Sequence, residues 1–422
     1  MRTQRWVVLL AGLVAVVTGC SVQYGASFLI PALLADGLNL AQAGAVAGAP
    51  IAGLLATLYA WGAAADRWGE RLVMTIGLSL GGVALLGWAW VFTALPGWVA
   101  LPGWVAAAAT GVQALPLGAY LALAGAATAA VHAASGRLVL GWFAAHERGR
   151  AMAVRQSAQP LGVAISALVL PPLANIGLPA AVAALGGGCL VGAALTLALV
   201  RDPPARAAGV AVGCAGSPYR TSMLWRIHAA SSLLVVPQFV TITYALVYLV
   251  DAQGWASVPA GRLLAAAQFG GAANRLLVGW WSDRVGSRLR PMRRLAVGIS
   301  GVLAVLAVST LAGSSTLAVT ALVAAAVLSS STNGLAFTAV AEHAGNAWAG
   351  RALGVQNTAQ NAVAAATPAA FGALIGAVTY AGAFGLAATF PLVAWLLVPV
   401  SGEARAVRHP GPPAAPSRSG AP

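Results

Sequence analysis

The residues with the clearest chemical potential are a few ionisable and amide side chains that lie inside long apolar stretches. Arg155 stands beside Gln156 and Gln159, and His132 lies in the preceding apolar stretch. A guanidinium binds anionic groups through directed hydrogen bonds, and an imidazole can titrate near neutral pH. No Asp or Glu occurs at the middle of any such stretch. The pattern predicts an electropositive site that favours a small anion.

Other candidates for contact with a bound solute are amides and phenols in similar apolar surroundings. Such side chains can bond a solute or only a neighbouring helix, and the sequence leaves both roles open. The complete set of candidate binding residues is Gln23, Tyr24, His132, Arg155, Gln159, Gln238, Tyr244, Gln268, Asn333, Gln360 and Asn361. For His132 we favour packing over proton relay. For Arg137 and Arg275 we expect the side chains to extend to the membrane surface.

No motif of an enzyme accompanies these residues. The sequence contains no H-E-x-x-H, G-x-S-x-G or P-loop pattern and no cluster of carboxylates. Cys20, Cys189 and Cys214 are scattered without metal-ligand spacing. We therefore predict neither catalysis nor a metal or cofactor, and no direct use of ATP.

The stretches that hold these residues are hydrophobic enough to lie in a lipid bilayer. The chain of 422 residues is 59% hydrophobic and 8% charged, with a mean hydropathy of +0.83, whereas soluble proteins are about 25% charged. A membrane-spanning helix needs about 20 mostly apolar residues. Twelve such spans are predicted, numbered 1 to 12 in chain order: 7–33, 43–65, 72–92, 113–140, 151–174, 179–200, 227–250, 257–281, 295–312, 315–338, 352–376 and 380–400.

The arginines orient these spans. A net charge of +14 could suggest nucleic-acid binding, but all 23 basic residues are Arg and nearly all loop arginines fall on one face. That face, the arginine-rich face, carries Arg2, Arg5, Arg67, Arg71, Arg148, Arg150, Arg201, Arg206, Arg220, Arg226, Arg284, Arg288, Arg290, Arg293, Arg294, Arg351, Arg405, Arg408 and Arg418. Arg262 is the exception on the opposite, arginine-poor face. Positive charge stays inside, which predicts a bacterial plasma-membrane protein with both termini cytoplasmic.

Four regions follow from the distribution of apolar and polar residues. We predict a six-helix bundle at 1–200, a cytoplasmic linker at 201–226, a second six-helix bundle at 227–400 and a disordered cytoplasmic tail at 401–422. The segment 95–106 is a duplicated hexapeptide with two Pro-Gly pairs, which indicates an interfacial loop before span 4. Spans 3, 6, 9 and 12 are almost purely apolar and are expected to face lipid.

Two sequence segments recur at matching places in the two halves. The pattern G-x-x-x-D-R-x-G-x-R occupies 62–71 after span 2 and 279–288 after span 8. A second pair, 149–159 and 350–360, enters spans 5 and 11. Matching order along the chain predicts two parallel repeats of six helices.

These segments resemble the major facilitator superfamily, whose signature loop joins helices two and three and recurs more weakly between helices eight and nine. The segment 142–150 is likewise similar to that family's loop between helices four and five. The resemblance implies an all-α membrane protein with twelve transmembrane helices in two pseudo-symmetric six-helix bundles. It also implies a monomeric secondary transporter that moves a small-molecule substrate by alternating access, with spans 1, 4, 7 and 10 lining the cavity.

The resemblance further implies that the repeated segments form a gate. Its residues would be Gly62, Asp66, Arg67, Gly69, Arg71, Gly279, Asp283, Arg284, Gly286, Arg288, Arg150 and Arg351. Asp66 would meet the start of span 11 near Arg351, and Asp283 the start of span 5 near Arg150, closing the cytoplasmic side. We expect Gly62 to allow close helix approach and Gly69 a tight turn. The alternative is a turn with solvated charges.

The nature of the cargo stays open at this level. We lean to a small organic anion over a cationic drug, because only 160–162 is similar to the helix-five motif of drug antiporters. A proton-coupled multidrug or metabolite efflux antiporter is the alternative, and a transport-inactive membrane sensor is a remote one. The direction of transport and the use of a coupling proton are undetermined.

Overall fold

In the computed structural model of the protein, residues 2–94, 114–143, 145–202 and 217–401 are described. Within these ranges the regular secondary structure is helical, without a β-strand. The duplicated hexapeptide, residues 203–216 of the predicted linker and residues 402–422 of the predicted tail lie outside the described residues.

The first half of the chain supplies spans 1 to 6. Span 1 is Arg2–Gly25, continued by a 3₁₀ turn at Ala26–Leu29 and by Ile30–Ala35. Spans 2, 3 and 4 are Leu40–Trp68, Glu70–Ala94 and Ala114–Trp142. Span 5 comprises Ala145–Gln156 and Ala158–Ala174, and span 6 is Leu178–Leu199.

The second half supplies spans 7 to 12. A 3₁₀ turn at Pro218–Arg220 precedes span 7, Ser222–Val247, which ends in a π turn at Tyr248–Ala252. Spans 8, 9 and 12 are Ser257–Val285, Leu289–Leu311 and Tyr380–Leu397. Span 10 is Ser315–Ser329 with the first part of Thr332–Ala377. Gly345, at φ 71° and ψ 166°, interrupts that long helix and separates span 10 from span 11. Each of the twelve predicted spans thus corresponds to a helix.

Hydropathy separates two of these helices from the others. Among the described residues, ten helical segments are long and apolar enough to cross a membrane. Spans 8 and 11 are not among the ten. These two spans carry several polar candidates, including Gln268 and Arg275 on span 8 and Gln360 on span 11. Because polar side chains are costly in lipid, such helices must turn them toward protein or a polar cavity.

Exposed apolar side chains mark the surface that would contact lipid. Large examples lie on spans 3, 6, 9 and 12: Leu80, Val83, Val191, Leu197, Val305, Val308, Leu392 and Leu396. A bilayer is the solvent in which such a surface is stable. By contrast, most of span 7 is buried, with Tyr244 and Tyr248 fully covered.

Capping residues and glycines set the turns between spans. Asn39 accepts from the Gln42 backbone N–H at 2.9 Å, and the Gln42 side chain accepts from the Asn39 N–H at 3.0 Å, which fixes the start of span 2. Gly69 and Gly286 adopt φ values of 84° and 61° after spans 2 and 8. A side chain is strained at such angles, so both copies of the repeated loop use glycine at the same place.

Close helix packing positions span 1 against span 5. A Cβ at Gly162 of span 5 would lie 2.7 Å from the Val17 carbonyl oxygen and 2.7 Å from the Cys20 Cβ. Ser21 donates to the Gly162 carbonyl oxygen at 3.1 Å. Glycine permits this approach because small residues let membrane helices meet backbone to backbone. The contact places the polar residues of span 1 beside span 5.

Candidate functional site

Arg155 is held at the break in span 5 by three neutral acceptors. Its Nε donates to the Ser135 hydroxyl at 2.8 Å, and its Nη2 donates to the His132 carbonyl oxygen at 3.1 Å. Nη1 donates to the Gln156 side chain at 3.2 Å. Hydrogen bonds to neutral groups orient a guanidinium without cancelling its charge. The arrangement therefore leaves a positive charge at the junction of spans 4 and 5.

Arg275 of span 8 is also held by neutral acceptors, and it joins the two halves. It donates to the Ser330 carbonyl oxygen at 2.7 Å, to the Gln156 carbonyl oxygen at 3.0 Å and to Gln159 Oε1 at 2.9 Å. The prediction that its side chain extends to the membrane surface is wrong, because these interior acceptors hold it. Arg155 and Arg275 are both within electrostatic range of Cys20. Two positive charges thus converge beside span 1.

Gln23 and His132 have buried polar atoms without hydrogen-bond partners on spans 1 and 4. Gln23 is 0% exposed, and both its Oε1 and its Nε2 lack a hydrogen bond, as does His132 Nε2. A Cβ at Gly19, one turn before Gln23, would lie 3.7 Å from His132 Nε2. A buried polar group without a partner costs about 1–3 kcal/mol. Such orphaned groups are typical of a site that binds something polar.

The second half holds a continuous chain of hydrogen bonds. Asn333 donates to Gln238 Oε1 at 2.9 Å, and Gln360 donates to Asn333 Oδ1 at 3.2 Å. Gln360 also donates to the Ser231 hydroxyl at 3.2 Å, and Gln356 donates to the same hydroxyl. The chain connects spans 7, 10 and 11 at the depth of the predicted cavity.

The same chain continues to the arginine-rich face through a histidine. Gln356 Oε1 lies 2.5 Å from His228 Nδ1, and the Tyr219 hydroxyl lies 3.0 Å from His228 Nε2. Burial raises the pKa of the Tyr219 hydroxyl, so that side chain is neutral at physiological pH. His228 was not recognised from the sequence, and Gln356, although a polar residue of span 11, is not in the predicted binding set. The available signal was a histidine just inside span 7, whose beginning was predicted at 227 rather than at 222.

The remaining candidate binding residues occupy different surroundings. Tyr24 packs edge-on against Phe239 with ring centroids 5.6 Å apart, joining spans 1 and 7. Gln268 is buried on span 8, two turns before Arg275. Asn361 donates to the Asn357 carbonyl oxygen of its own helix at 2.9 Å. These placements leave only Tyr24 directly between the two halves.

Tyr244 lies in a close contact at the arginine-poor face instead. Its hydroxyl donates to the Pro368 carbonyl oxygen, and both atoms face Gly44 of span 2. A Cβ at Gly48 would lie 2.9 Å from the Ala365 oxygen, and one at Gly372 would lie 2.5 Å from the Leu40 oxygen. Spans 2 and 11 therefore meet backbone to backbone at this face.

Spans 5 and 8 make the corresponding contact across the molecule. Gly261 of span 8 faces the carbonyl oxygen of Ala167 on span 5. Beyond it, Ser257 donates to Asn175 Oδ1 at 3.1 Å. Two glycine-lined contacts, one on each side of the cavity, thus close the arginine-poor end of the interface between the halves.

At the arginine-rich face, each copy of the repeated loop is tied to a span of its own half. Asp66 pairs with Arg137 of span 4, and Arg137 Nε also lies 3.4 Å from Glu70 Oε1. In the second copy, Arg288 pairs with Asp283 and contacts Glu342 Oε1 of span 10 at 3.1 Å. The two links join equivalent elements with the charges exchanged.

The carboxylates of Asp283 and Glu342 keep Arg288 in its charged form. Burial by itself would lower the pKa of Arg288, but the hydrogen bonds and charges of Asp283 and Glu342 outweigh burial and raise it. The guanidinium therefore remains charged throughout the physiological range, and the link between span 10 and the second loop persists with it.

Within the described residues, the partners of Asp66 and Asp283 lie in their own halves. Asp66 meets Arg137 rather than the start of span 11, where Arg351 stacks 5.0 Å from the Trp348 ring centroid. Asp283 meets Arg288 of its own loop. The side chain of Arg150 lies outside the described residues. A gate forms its closing contacts only when its end of the transporter is closed. The gate between the two halves therefore stays a prediction.

Other residues of the repeated loops have local roles. Arg71 donates from Nε to the Leu197 carbonyl oxygen at 2.9 Å, and its backbone N–H donates to Asp202 at 2.8 Å. Arg284 stacks on the Trp280 ring at 3.7 Å, while Arg67 is exposed. The expectation that Gly62 brings helices together is wrong in this conformation. Nothing lies within 4 Å of a Cβ at Gly62 or at Gly279.

Comparison with known proteins identifies the family. The family model described as Major Facilitator Superfamily matches residues 9–368. Two curated relatives from Mycobacterium tuberculosis are described as uncharacterized MFS-type transporters. Each is 41% identical over 399 residues, covering 94% of this chain and 85% of the relative.

Solved structures share the same architecture at low sequence identity. A bacterial homologue of the human lysosomal transporter Spinster, in an inward-facing and unoccupied conformation, superposes with a TM-score of 0.74 at 14% identity, covering 98% of this chain and 100% of that one. A D-xylose–proton symporter gives a TM-score of 0.73 at 16% identity, covering 94% and 98%. These likenesses confirm the predicted fold of twelve transmembrane helices in two pseudo-symmetric bundles.

Proposed function

The chain belongs to the major facilitator superfamily, whose members are carriers rather than enzymes, and we propose that it is a secondary transporter of a small organic anion. The observation that carries this proposal is the pair Arg155 and Arg275, one from each half, both bonded only to neutral acceptors in the contacts described above. An arginine that is oriented but not neutralised can bind a carboxylate or phosphate through two parallel hydrogen bonds.

The absence of a competing acid supports an anionic cargo. Asp36, Asp66, Glu70, Glu147, Asp202, Asp251, Asp283 and Glu342 are the acidic residues within the described ranges, and all lie at span ends or in loops. A carboxylate beside the arginines would occupy the position of an anionic solute. The alternative, proton-coupled efflux of cationic drugs, has less support because a cation would be repelled by Arg155 and Arg275.

In alternating access, the two glycine-lined contacts would close the arginine-poor face and the two charged loops would close the arginine-rich face. The structure has spans 2 and 11, and spans 5 and 8, in close contact at the arginine-poor face. We therefore assign this conformation to the state open toward the arginine-rich face. In the opposite state, Asp66 and Asp283 would leave their present partners and meet the starts of spans 11 and 5. This exchange would make the repeated loops the second gate.

Orientation and organisation complete the proposal. The arginine-rich face lies in the cytoplasm together with both termini, because positive loops stay inside. The protein resides in the plasma membrane, works as a monomer and contacts no nucleic acid. The two bundles, 1–200 and 227–400, move about the central site, with 201–226 as the connection between them. If the intact protein binds a solute but does not transport it, the alternative of a transport-inactive sensor is favoured instead.

Binding of a panel of solutes to the purified protein in detergent tests the proposal. Thermal unfolding would be followed with mono- and dicarboxylates, sugar phosphates and lipophilic cations such as tetraphenylphosphonium. We expect one or more anions to raise the unfolding temperature of the wild type and of Arg262→Gln, an arginine on span 8 away from the site. The same anions should give no shift with Arg155→Gln. Stabilisation by cations but by no anion would overturn the proposed cargo.

A further inference from the structure

The hydrogen-bonded chain in the second half contains a histidine, His228, that anion binding does not explain. His228 lies 4% exposed on span 7, between Tyr219 near the arginine-rich face and Gln356 of span 11. Histidine is the side chain whose ordinary pKa allows its charge to change between about pH 5 and 8.

Both nitrogens of His228 have partners that can accept a hydrogen bond. Gln356 presents Oε1 to Nδ1, because its amide nitrogen is directed to Ser231. The Tyr219 hydroxyl can accept from Nε2 or donate to it by rotating its proton. The site therefore accommodates the imidazolium, in which both nitrogens donate, and a neutral imidazole without moving a heavy atom.

The charge of His228 restricts the directions that the hydrogen bonds beyond it can take. With the imidazolium, Gln356 must keep Oε1 toward His228 and its NH₂ toward Ser231, since both ring nitrogens are donors. With a neutral ring, the amide can flip so that Nδ1 accepts, and Oε1 then accepts from the Ser231 hydroxyl. Ser231 also contacts Gln360, which bonds Asn333. The protonation state of His228 can therefore change the hydrogen bonds of Gln360, Asn333 and Gln238.

The charged groups around His228 are compatible with a titrating role. On the elements packed against span 7, Arg351 stacks on Trp348, and Arg226 donates to the Leu397 carbonyl oxygen of span 12 at 3.0 Å. Arg220 is exposed on the preceding turn. Other titratable groups on these elements have partners of their own: Glu342 and Asp283 with Arg288, Arg275 with Gln159, Arg284 with the Trp280 ring, His343 with the Ala339 carbonyl oxygen, and Tyr380 with Asp251 at the opposite face. Arg262 lies near the arginine-poor end of span 8.

We propose that His228 is the proton-binding site of this transporter and that its protonation favours the conformation open to the arginine-rich face. The inference rests on the proposed transport function and deepens it by assigning a coupling proton to a residue of the second half. The proton binds at Nε2 of His228, where the Tyr219 hydroxyl can accept a hydrogen bond from the charged ring. Asn333 and Gln238 extend the hydrogen-bonded chain from His228 away from the arginine-rich face.

A distance across the arginine-poor face reports the conformation. Ile176 and Val378 are exposed at that face, one in each half. Spin labels on cysteines at these positions, in a background without the native cysteines, would give a short distance when the face is closed and a long one when it is open. Measurements would use the full chain in lipid nanodiscs from pH 8 to pH 5.5.

For the wild type, we expect acid to increase the short-distance population by up to about tenfold per pH unit, the limit for one bound proton. His228→Gln should abolish this response, whereas His343→Gln, a control at the end of span 10, should retain it. Gln356→Glu places a carboxylate beside the ring and should raise the midpoint by about one pH unit or more. Because that variant is expected to gain a shift rather than lose a response, misfolding cannot imitate the result.

The outcomes separate the two proposals. A His228→Gln protein that keeps the wild-type pH response overturns the proton site, as does a wild type that changes distance with a bound anion but not with pH. A wild type whose labels never change distance, with any solute or at any pH, contradicts alternating access itself.

Discussion

Arg275 Nη2 donates to Gln159 Oε1 at 2.9 Å and so connects span 8 of the second half to span 5 of the first within the membrane. The two residues are 116 positions apart in the sequence. Because every acceptor of Arg275 described above is neutral, the bond orients the guanidinium without neutralising it. The bond holds the two halves together, and in the proposed function the same guanidinium also binds the anion.

The first prediction concerns this residue. Arg275→Gln should weaken binding of the stabilising anion by about tenfold or more, because a hydrogen bond to a charged group contributes about 1.5–3 kcal/mol. Arg275→Lys keeps the charge but loses the planar guanidinium, so the affinity of this variant for the anion should lie between those of Arg275→Gln and the wild type. Titration of the anion by calorimetry measures both. Equal affinity in Arg275→Gln and wild type would remove Arg275 from the site.

The second prediction concerns the unpartnered amide of Gln23. Gln23→Leu should raise the free energy of unfolding of the solute-free protein by about 1–3 kcal/mol, because it removes buried polar atoms that lack hydrogen bonds. The same substitution should weaken solute binding. Denaturation in detergent with and without the anion separates the two effects. A less stable Gln23→Leu protein would show that the amide is satisfied in the native state.

The third prediction concerns the glycine-lined contact of spans 2 and 11. Gly48→Ala brings a Cβ to 2.9 Å from the Ala365 oxygen, so closure at the arginine-poor face becomes unfavourable. The distance between labels at Ile176 and Val378 should shift toward its longer value. Gly298→Ala on span 9 is the control, because nothing lies within 4 Å of its Cβ. An unchanged distribution for Gly48→Ala would contradict a closing role.

The fourth prediction concerns the charged loops. Asp66→Asn combined with Asp283→Asn should slow anion uptake into proteoliposomes by about tenfold or more, equivalent to about 1.4 kcal/mol. Solute affinity should stay close to that of the wild type, since neither carboxylate touches the arginine pair. Asp36→Asn, at the opposite face, controls for the loss of a carboxylate. Undiminished uptake by the double variant would exclude the gate.

Several features follow from the sequence because they depend on local patterns. Hydropathy identifies ten of the twelve spans among the described residues, since a helix in lipid must be largely apolar over its own length. The two copies of the loop at 62–71 and 279–288 identify parallel repeats, and both Gly69 and Gly286 adopt the positive φ that such a turn needs. The family resemblance drawn from these segments is confirmed by the match over residues 9–368.

Only the tertiary structure decided which polar residues meet. Sequence spacing could not show that Arg275 reaches Gln159, that His228 contacts Gln356, or that Tyr244 belongs to a closing contact rather than to the cavity. Each of these pairs joins different helices more than a hundred residues apart, where periodicity carries no information. The direction in which a membrane helix turns its few polar atoms depends on which neighbours offer partners, and that is settled by packing between the spans.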